Sequence, residues 1–445
     1  MATTHLTRTF GAGNQKIFTF SGWFKRTGLG EQHIFGQRED DSNRTHIFLN
    51  ADDNLFFYSN NSAGDNVRIE TNKVFKDISG YYNFVIAVDT NQSTAADRVK
   101  MYVNGVQETS FSQSTYPVEN GTLVINNAVQ HNIGSWNTTH HFFNGIMSHV
   151  HFCDGTQLEP TVFGSTDATT GEWKINTSPS FTLGTNGFTI LKDGSTITDQ
   201  SSNSNNWTLG GGTLTNTEDC PSDVFCTMNP LATSSYSTLT NGNTTSGGNT
   251  NSDNGNSFGT LVPNKGKFYC EVKVTKEGTG YPSVGLAQAS DANFGNCKNS
   301  SAGMAGYNTA NSSTIRPDGQ RVQNNSTSSW TSTTFDTNDV LMLAMDCDNG
   351  ACYIGKNGTW MESGDPTSGG TKTGAFQTWT PASHTEGQTF AIRDYDISVA
   401  KWNFGNGYFG TTAISSEGTN ASEIGKFEYD VPANYTALSL KGMNS

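Results

Sequence analysis

Asp339-Val-Leu-Met-Leu-Ala-Met-Asp-Cys-Asp-Asn-Gly-Ala-Cys-Tyr-Ile-Gly-Lys-Asn-Gly-Thr-Trp360 decides the fold of this chain. An apolar run of this length, closed by a turn signal, reads as a strand buried on both faces. Asn349-Gly350 and Asn357-Gly358 supply the positive φ angles that tight hairpin turns need, with a short strand around Tyr353 between them. A related hairpin occurs earlier, at Asp97-Arg-Val-Lys-Met-Tyr-Val-Asn-Gly105. Two such signatures far apart predict two β-rich modules in series.

The composition leads to the same class. Hydrophobic residues make up 33% of the 445, and 48 are Gly, with Asn, Ser and Thr abundant. Disordered chains are poor in aromatics and rich in charge, whereas here aromatics reach 11% and charged residues only 15%. Many short strands joined by polar turns account for the mixture, because Gly and Asn tolerate φ > 0. The length allows two or three domains.

Charge and cysteine narrow the function classes. The formal charge is −14, from 26 basic and 40 acidic residues, without a Lys/Arg stripe. Such a surface disfavours phosphate backbones, so nucleic acid is not expected as a partner. The seven cysteines, at 153, 220, 226, 270, 297, 347 and 352, form no Cys-x-x-Cys pair, so a finger-type zinc site is not expected. Buried reduced thiols are the simpler reading. The start, Met-Ala-Thr-Thr-His-Leu-Thr-Arg, has no apolar core of a secretory signal. No segment approaches the ~20 apolar residues of a membrane span. Synthesis in a cytosol and no membrane insertion are the expectations.

Residues 1–163 form a first unit. Phe20-Ser-Gly-Trp-Phe24, Tyr102-Val-Asn-Gly105 and Phe143-Asn-Gly-Ile-Met-Ser-His-Val-His-Phe152 occur in that order. Together they resemble the laminin-G-like and pentraxin group of concanavalin-A-like jelly rolls, which implies a β-sandwich; apolar side chains on both faces of 81–89 predict a central strand. Residues 164–215 read as a bridge in which 171–175 and 187–194 could each add a strand. Residues 216–412 form a second unit. Here Gly266-Lys-Phe-Tyr-Cys-Glu-Val272, Ser283-Val-Gly-Leu-Ala287, the opening stretch and Val399-Ala-Lys-Trp-Asn-Phe-Gly405 follow one another. These four elements resemble SPRY domains, sandwich modules that bind partners through their loops. The Ser/Thr/Asn/Gly tract 234–257 reads as a long loop. The tail 413–445, with Phe427-Glu-Tyr-Asp-Val-Pro-Ala-Asn-Tyr435, is expected to pack on a domain or a partner because of its aromatics. The fold class is therefore all-β: two concanavalin-A-like sandwiches in tandem, laminin-G-like then SPRY-like.

Signs of catalysis are sparse. Jelly-roll glucanases need two carboxylates flanking the scissile bond, and their Glu-x-Asp-x-x-Glu strand is missing. The pairs Asp346/Asp348 and Asp394/Asp396 share a face by period two, but turn chemistry accounts for the first and neither has a third acid. The chain is not expected to be an enzyme. Five of the nine histidines lie at 131, 140, 141, 149 and 151. In a regular strand His149, His151 and Cys153 project from one face, where two imidazoles and a thiol offer ligands to a transition metal. A solvated polar face on a half-buried sheet accounts for the same pattern. By resemblance, laminin-G-like relatives bind calcium through acidic rim loops. Asp52, Asp53, Asp89 and Asp97 are such acids here, although the family motif is not matched residue by residue, so calcium stays unassigned and no other cofactor is expected. Trp136, Tyr307, Trp330 and Trp379 lie in polar loop sequence and are candidate stacking anchors for sugar rings. The segments 291–314, 317–336 and 361–389, as SPRY-like loops, are the expected recognition surface.

The combination of the two modules with the closing aromatic tail resembles structural proteins of tailed bacteriophages, marine ones above all. The resemblance implies a virion surface protein, such as a tail fibre, a spike or a capsid-attached knob, made in the bacterial cytoplasm. Its implied partners are other virion proteins, further copies of itself (a trimer by analogy with phage fibres) and a host glycan or receptor. A glycan depolymerase and a purely structural virion component are the alternatives.

Overall fold

In the computed structural model, residues 3–62, 66–192, 196–248, 254–275, 281–289, 312–324, 326–383 and 385–445 are described. The chain divides into two units, 1–216 and 217–445. The apolar run of the opening stretch forms one strand, Val340–Asp346, and every residue of it is buried. It pairs with Ala351–Lys356 from Leu341↔Lys356 to Asp346↔Ala351. Asp346 shapes the turn between them: its carboxylate accepts from the Asn349 backbone N–H (2.9 Å) and side-chain amide (2.8 Å). Asn357 (φ 47°) and Gly358 (φ 87°) then form a two-residue turn with both residues left-handed, which matches the strand twist.

In the first unit the strands among the described residues are β1 (His5–Thr9), β2 (Ile17–Arg26), β3 (Gln32–Arg38), β4 (Arg44–Leu49), β5 (Asn54–Asn60), β6 (Asn66–Val74), β7 (Tyr82–Asp89), β8 (Val99–Val103), β9 (Val106–Gln107), β10 (Phe111–Thr115), β11 (Gln130–Ile133), β12 (Gly145–Asp154), β13 (Gly164–Thr166), β14 (Trp173–Ile175), β15 (Phe188–Ile190) and β16 (Thr208–Gly211). Eight form one sheet in the order β10-β6-β5-β4-β3-β11-β1-β16, and six form another in the order β15-β12-β2-β7-β8-β9. The central position of β7 follows from apolar residues on both its faces. Between the sheets lies a core rich in phenylalanine. Phe18, Phe20 and Phe24 of β2 meet Phe35, Ile47, Leu49, Leu55, Phe57 and Ile69 of the larger sheet. Phe20 and Phe35 stack at 4.7 Å and 2°. Residues 164–215 add β15 to the six-stranded sheet, β16 to the eight-stranded one and Trp207 to the core.

The second unit contributes, among its described residues, β17 (Met228–Thr233), β18 (Ser237–Thr240), β19 (Thr245–Gly248), β20 (Asn254–Gly259), β21 (Lys267–Thr275), β22 (Tyr281–Gln288), β23 (Ser313–Ile315), β24 (Gln320–Gln323), β25 (Ser326–Ser329), β26 (Val340–Asp346), β27 (Ala351–Lys356), β28 (Thr359–Trp360), β29 (Gln377–Thr378), β30 (Gln388–Tyr395), β31 (Val399–Asn403), β32 (Tyr408–Phe409), β33 (Thr412–Ala413) and β34 (Thr436–Ala437). One sheet runs β17-β20-β30-β22-β23-β24-β25 and the other β18-β19-β31-β21-β26-β27-β28. Leu341, Leu343 and Met345 face the core between them, with Val272, Leu286, Ile392 and Trp402. Met342 and Ala344 face the other way, into a second cluster with Tyr269, Tyr353, Phe427, Val431 and Tyr435. The C-terminal segment is therefore what buries the outer face of β26.

The tract 234–257 differs from its expected loop, since it carries β18, β19 and most of β20. Low hydrophobicity concealed these strands. Their small side chains let the hydroxyls of Ser237 (β18) and Ser246 (β19) reach the fully buried carboxylate of Asp394 on β30, in the opposite sheet. The described cysteines are unbridged, Cys347 and Cys352 among them.

Candidate functional site

On the face of the eight-stranded sheet turned away from the core, alternation along two strands places Arg44, His46 and Phe48 of β4 beside Phe56 and Tyr58 of β5. The register pairs His46 with Tyr58 and Phe48 with Phe56. It continues to His33 on β3, opposite Phe48, and to Arg68 and Glu70 on β6, opposite Tyr58 and Phe56. The row His33–Phe48–Phe56–Glu70–Gln113 thus crosses five strands, about 19 Å at the usual strand spacing.

The rings form a continuous layer in which His33, His46, Phe56 and Tyr58 are buried and Phe48 and Trp136 are half-buried. His33 stacks on Phe48 (4.5 Å, 8°), and Phe48 stacks on Phe56 (5.0 Å, 26°). The Trp136 ring lies over this sheet, 6.1 Å from His33 and 6.2 Å from His46. Guanidinium groups flank the rings: Arg38 and Arg44 lie 5.1 and 5.9 Å from Trp136, and Arg44 and Arg68 each lie 5.2 Å from Tyr58. Such contacts pre-orient an arginine over a flat apolar surface. Polar groups alternate with the rings. Glu70 accepts from the side-chain amides of Asn50 and Gln113, and Asp41 bridges Arg38 (2.7 Å) and Arg44 (3.3 Å). Glu31 meets His33 at 3.1 Å and His141 at 3.4 Å. The half-buried Trp136 and Phe48 rings, beside these paired donors and acceptors, are the part of the layer open to a ligand.

Of the stacking candidates read from the sequence, Trp136 belongs to this surface, half-buried. Trp379 is only 7% exposed and sits in the core of the second unit. Trp330 packs against that core, edge-on to Phe376 at 4.8 Å. Tyr307 and most of the expected recognition segment 291–314 lie outside the described residues. Segment 317–336 carries the strands β24 and β25.

His149, His151 and Cys153 do not share the regular alternation assumed for them. β12 has a bulge between Ser148 and His151, and His149 adopts φ 48°. The His149 and His151 rings stand 6.3 Å apart, and no cluster of three or more His, Cys, Asp or Glu suited to a metal occurs among the described residues. The face is not solvated either. His151 bonds Thr189 Oγ1 (2.9 Å) and packs against Phe163 and Phe181, and the Cys153 thiol donates to the Thr182 carbonyl. Burial lowers the pKa of His151 to about 3 and pushes the Cys153 thiol up. Segment 158–181 is the cover, and the composition of 149–153 held no sign of it.

Of the acids weighed for catalysis and for calcium, Asp346, Asp348, Asp394, Asp53 and Asp89 have other partners. Asp346 pairs with Lys267 at 3.1 Å besides forming its turn, and Asp348 accepts from the Gly266 N–H. Asp394 is fully buried and holds two serines. Asp53 forms a buried ion pair with Arg26 (2.8 Å), and Asp89 caps Asn91 and binds Gln92.

Residues 3–162 match the family model of the concanavalin A-like lectin/glucanases superfamily. That span contains the whole ring surface described above. Among solved structures, the chain is similar to the SPRY domain of human HERC1 (13% identity, TM-score 0.29, covering 39% of this chain and 96% of that one). It is also similar to a native heptameric SAP-like pentraxin from Limulus polyphemus (18%, 0.26, 35% and 72%). A third is domain 4 of AbnA, a GH43 extracellular arabinanase from Geobacillus stearothermophilus, solved with arabinotriose (20%, 0.26, 34% and 65%). None of the curated proteins matches this chain.

The sequence reading missed His33, His46, Phe48, Phe56 and Tyr58. The signal was available: in Arg44-Thr-His-Ile-Phe-Leu49 and Leu55-Phe-Phe-Tyr-Ser59, every second residue is aromatic, His or Arg on the face opposite Ile47, Leu49, Leu55 and Phe57.

Proposed function

We propose that this chain is a non-catalytic glycan-binding protein of a bacteriophage particle, taking its glycan on the Trp136 face of the eight-stranded sheet. The observation that carries the reading is the pair of half-buried rings, Trp136 and Phe48, held on the buried rings of His33 and Phe56 and flanked by Arg38, Arg44 and Arg68. A lectin/glucanase fold over residues 3–162 is consistent with carbohydrate binding. The virion assignment rests on the pairing of two sandwich modules with an aromatic tail. Further virion proteins and a host-surface glycan are the partners it names, and homo-oligomerisation, as a trimer, is part of it. The absence of catalysis is supported by the engagement of Asp346, Asp348 and Asp394 in turns, an ion pair and a buried serine cluster.

The test is retention of the purified chain on a panel of immobilised bacterial surface polysaccharides, with Trp136→Ala and Arg44→Ala beside the parent. Loss of a stacking ring at a binding surface costs ~1 kcal/mol or more, about fivefold to tenfold in affinity. Both variants should lose that much while keeping the parent's melting temperature. Unchanged retention in both would move the site elsewhere, and release of reducing ends from a retained polysaccharide would make the protein a depolymerase.

A further inference from the structure

We propose that the segment carrying Trp136 is an acid-released gate over the glycan face, tripped by protonation of His46. The inference rests on the glycan reading of this face and adds its regulation.

His46 is 2% exposed and neither of its ring nitrogens has a hydrogen-bond partner; His33 is 3% exposed and its Nδ1 is likewise unpartnered. A neutral imidazole always carries one N–H, and leaving it unmade in a buried site is unfavourable. An imidazolium carries two, plus a charge. The groups around His46 offer that charge nothing. From β3 come His33 and the Arg38 guanidinium, from β4 the Arg44 guanidinium, from the covering segment His141. Its cross-strand partner, Tyr58, is itself under Arg44. The nearby carboxylates are committed elsewhere, Glu31 to His33 and His141, and Asp41 to the two arginines at an exposed turn. Burial accordingly holds His46 well below, and His33 below, the usual imidazole range.

A proton can therefore reach His46 only with water, and one wall must give way. The β3 and β5 walls are tied by ladders along their length, including Gly36, whose missing side chain makes room for the His46 ring. The Trp136 segment, closed on itself by Trp136 N–H to the His140 carbonyl (3.2 Å) and Phe143 N–H to the Gly134 carbonyl (2.8 Å), is tied to β3 by His33 N–H to the His141 carbonyl (3.1 Å) and by the partly exposed Glu31–His141 pair (3.4 Å). It is the weaker wall. Its release carries Trp136 off the rings and removes the stacking ligand site.

The experiment follows acrylamide quenching of Trp136, as the difference between the parent and Trp136→Phe, from pH 8 to pH 4.5. His46→Phe and His46→Gln, two non-titrating replacements of different polarity, are measured alongside. The expected result is a severalfold rise in quenching in the parent, with a midpoint below 6.5, that neither His46 variant shows. A flat parent profile overturns the gate. So does an equal rise in parent and variants, which would mark general acid unfolding. The fraction of each chain's own pH 7.5 retention that survives at pH 5 should fall severalfold in the parent and stay constant in His46→Phe, whatever its retention at pH 7.5. A quenching shift in a chain that retains no polysaccharide at pH 7.5 would uphold the gate and overturn the glycan reading instead.

Discussion

Gly36 leaves the space that the His46 ring fills: a Cβ at position 36 would lie 2.7 Å from His46 Nδ1 and 2.2 Å from the Thr45 carbonyl oxygen. The second contact is with backbone, so no rotamer change relieves it. Gly36→Ala is expected to lower the stability of the first unit by ~1–3 kcal/mol, the range of overpacking. Urea unfolding reads it, and a variant as stable as the parent would mean that β3 and β4 can separate locally at no cost.

The Arg26 guanidinium and the Asp53 carboxylate pair at 2.8 Å with both side chains buried, and Arg26 also donates to the Phe75 and Gly30 carbonyls. Removing one partner of a buried pair strands the other charge. Asp53→Ala should therefore cost ~3–5 kcal/mol. A loss within 1 kcal/mol of zero, seen as an unshifted urea midpoint, would show that water reaches Arg26.

The two units should respond to pH in opposite directions. Burial holds His131 and His151 at about 3, so between there and the unfolded value the folded state binds fewer protons. Their contribution is present at neutral pH and is lost as pH falls below the unfolded value near 6.5. At pH 5 the loss is roughly 2 kcal/mol for each. Burial raises Glu271 to about 7 and Asp394 to about 6. Their contribution is full below the unfolded values near 4 and is lost as pH rises through the folded ones, about 2 kcal/mol for Glu271 between pH 5 and 7.5. Hydrogen exchange at pH 5 and 7.5, corrected for intrinsic rates, should show protection rising in the first unit and falling in the second. Parallel slopes would refute the assignment.

Glu271 also secures the C-terminal segment. Its carboxylate accepts from the backbone N–H groups of Glu428 (2.9 Å) and Tyr429 (2.7 Å), from Asn403 Nδ2 and from the Tyr269 hydroxyl. Glu271→Gln turns an amide N–H₂ toward donors and should cost ~1–3 kcal/mol. Limited proteolysis should then cut between 415 and 435, where the parent resists; equal resistance would place the latch elsewhere.

Trp330 is expected to act through packing. With its ring edge-on to Phe376 against the core, Trp330→Ala should cost about 2 kcal/mol, less than a fully buried aromatic, and leave polysaccharide retention unchanged. Lost retention at constant melting temperature would return it to the list of stacking anchors.

Much of the fold was legible because it rests on local chemistry. Asn-Gly pairs take left-handed backbone at tight hairpin turns, as at Asn104 (φ 48°) with Gly105 (φ 76°), although Asn254-Gly255 lies inside β20. The Phe18, Phe20 and Phe24 spacing already marked one face of β2 as core. The strands in 234–257 were illegible, because small polar side chains are excluded from strand signals unless an opposing sheet supplies their partners.

All-β character, the hairpins at Asn104-Gly105, Asn349-Gly350 and Asn357-Gly358 and the apolar faces at period two follow from the sequence, since φ preference and side-chain alternation act within a few residues. Only the tertiary structure decided which polar residues are buried and which rings meet. His151 lies under Phe163 and Phe181, and Asp394 between two sheets. His33, Phe48, Phe56 and Trp136 form one surface although they are spread over 104 positions (33 to 136, inclusive). Register across strands sets these neighbours, and the free energy that fixes register is burial summed over the whole sandwich, which no local window contains.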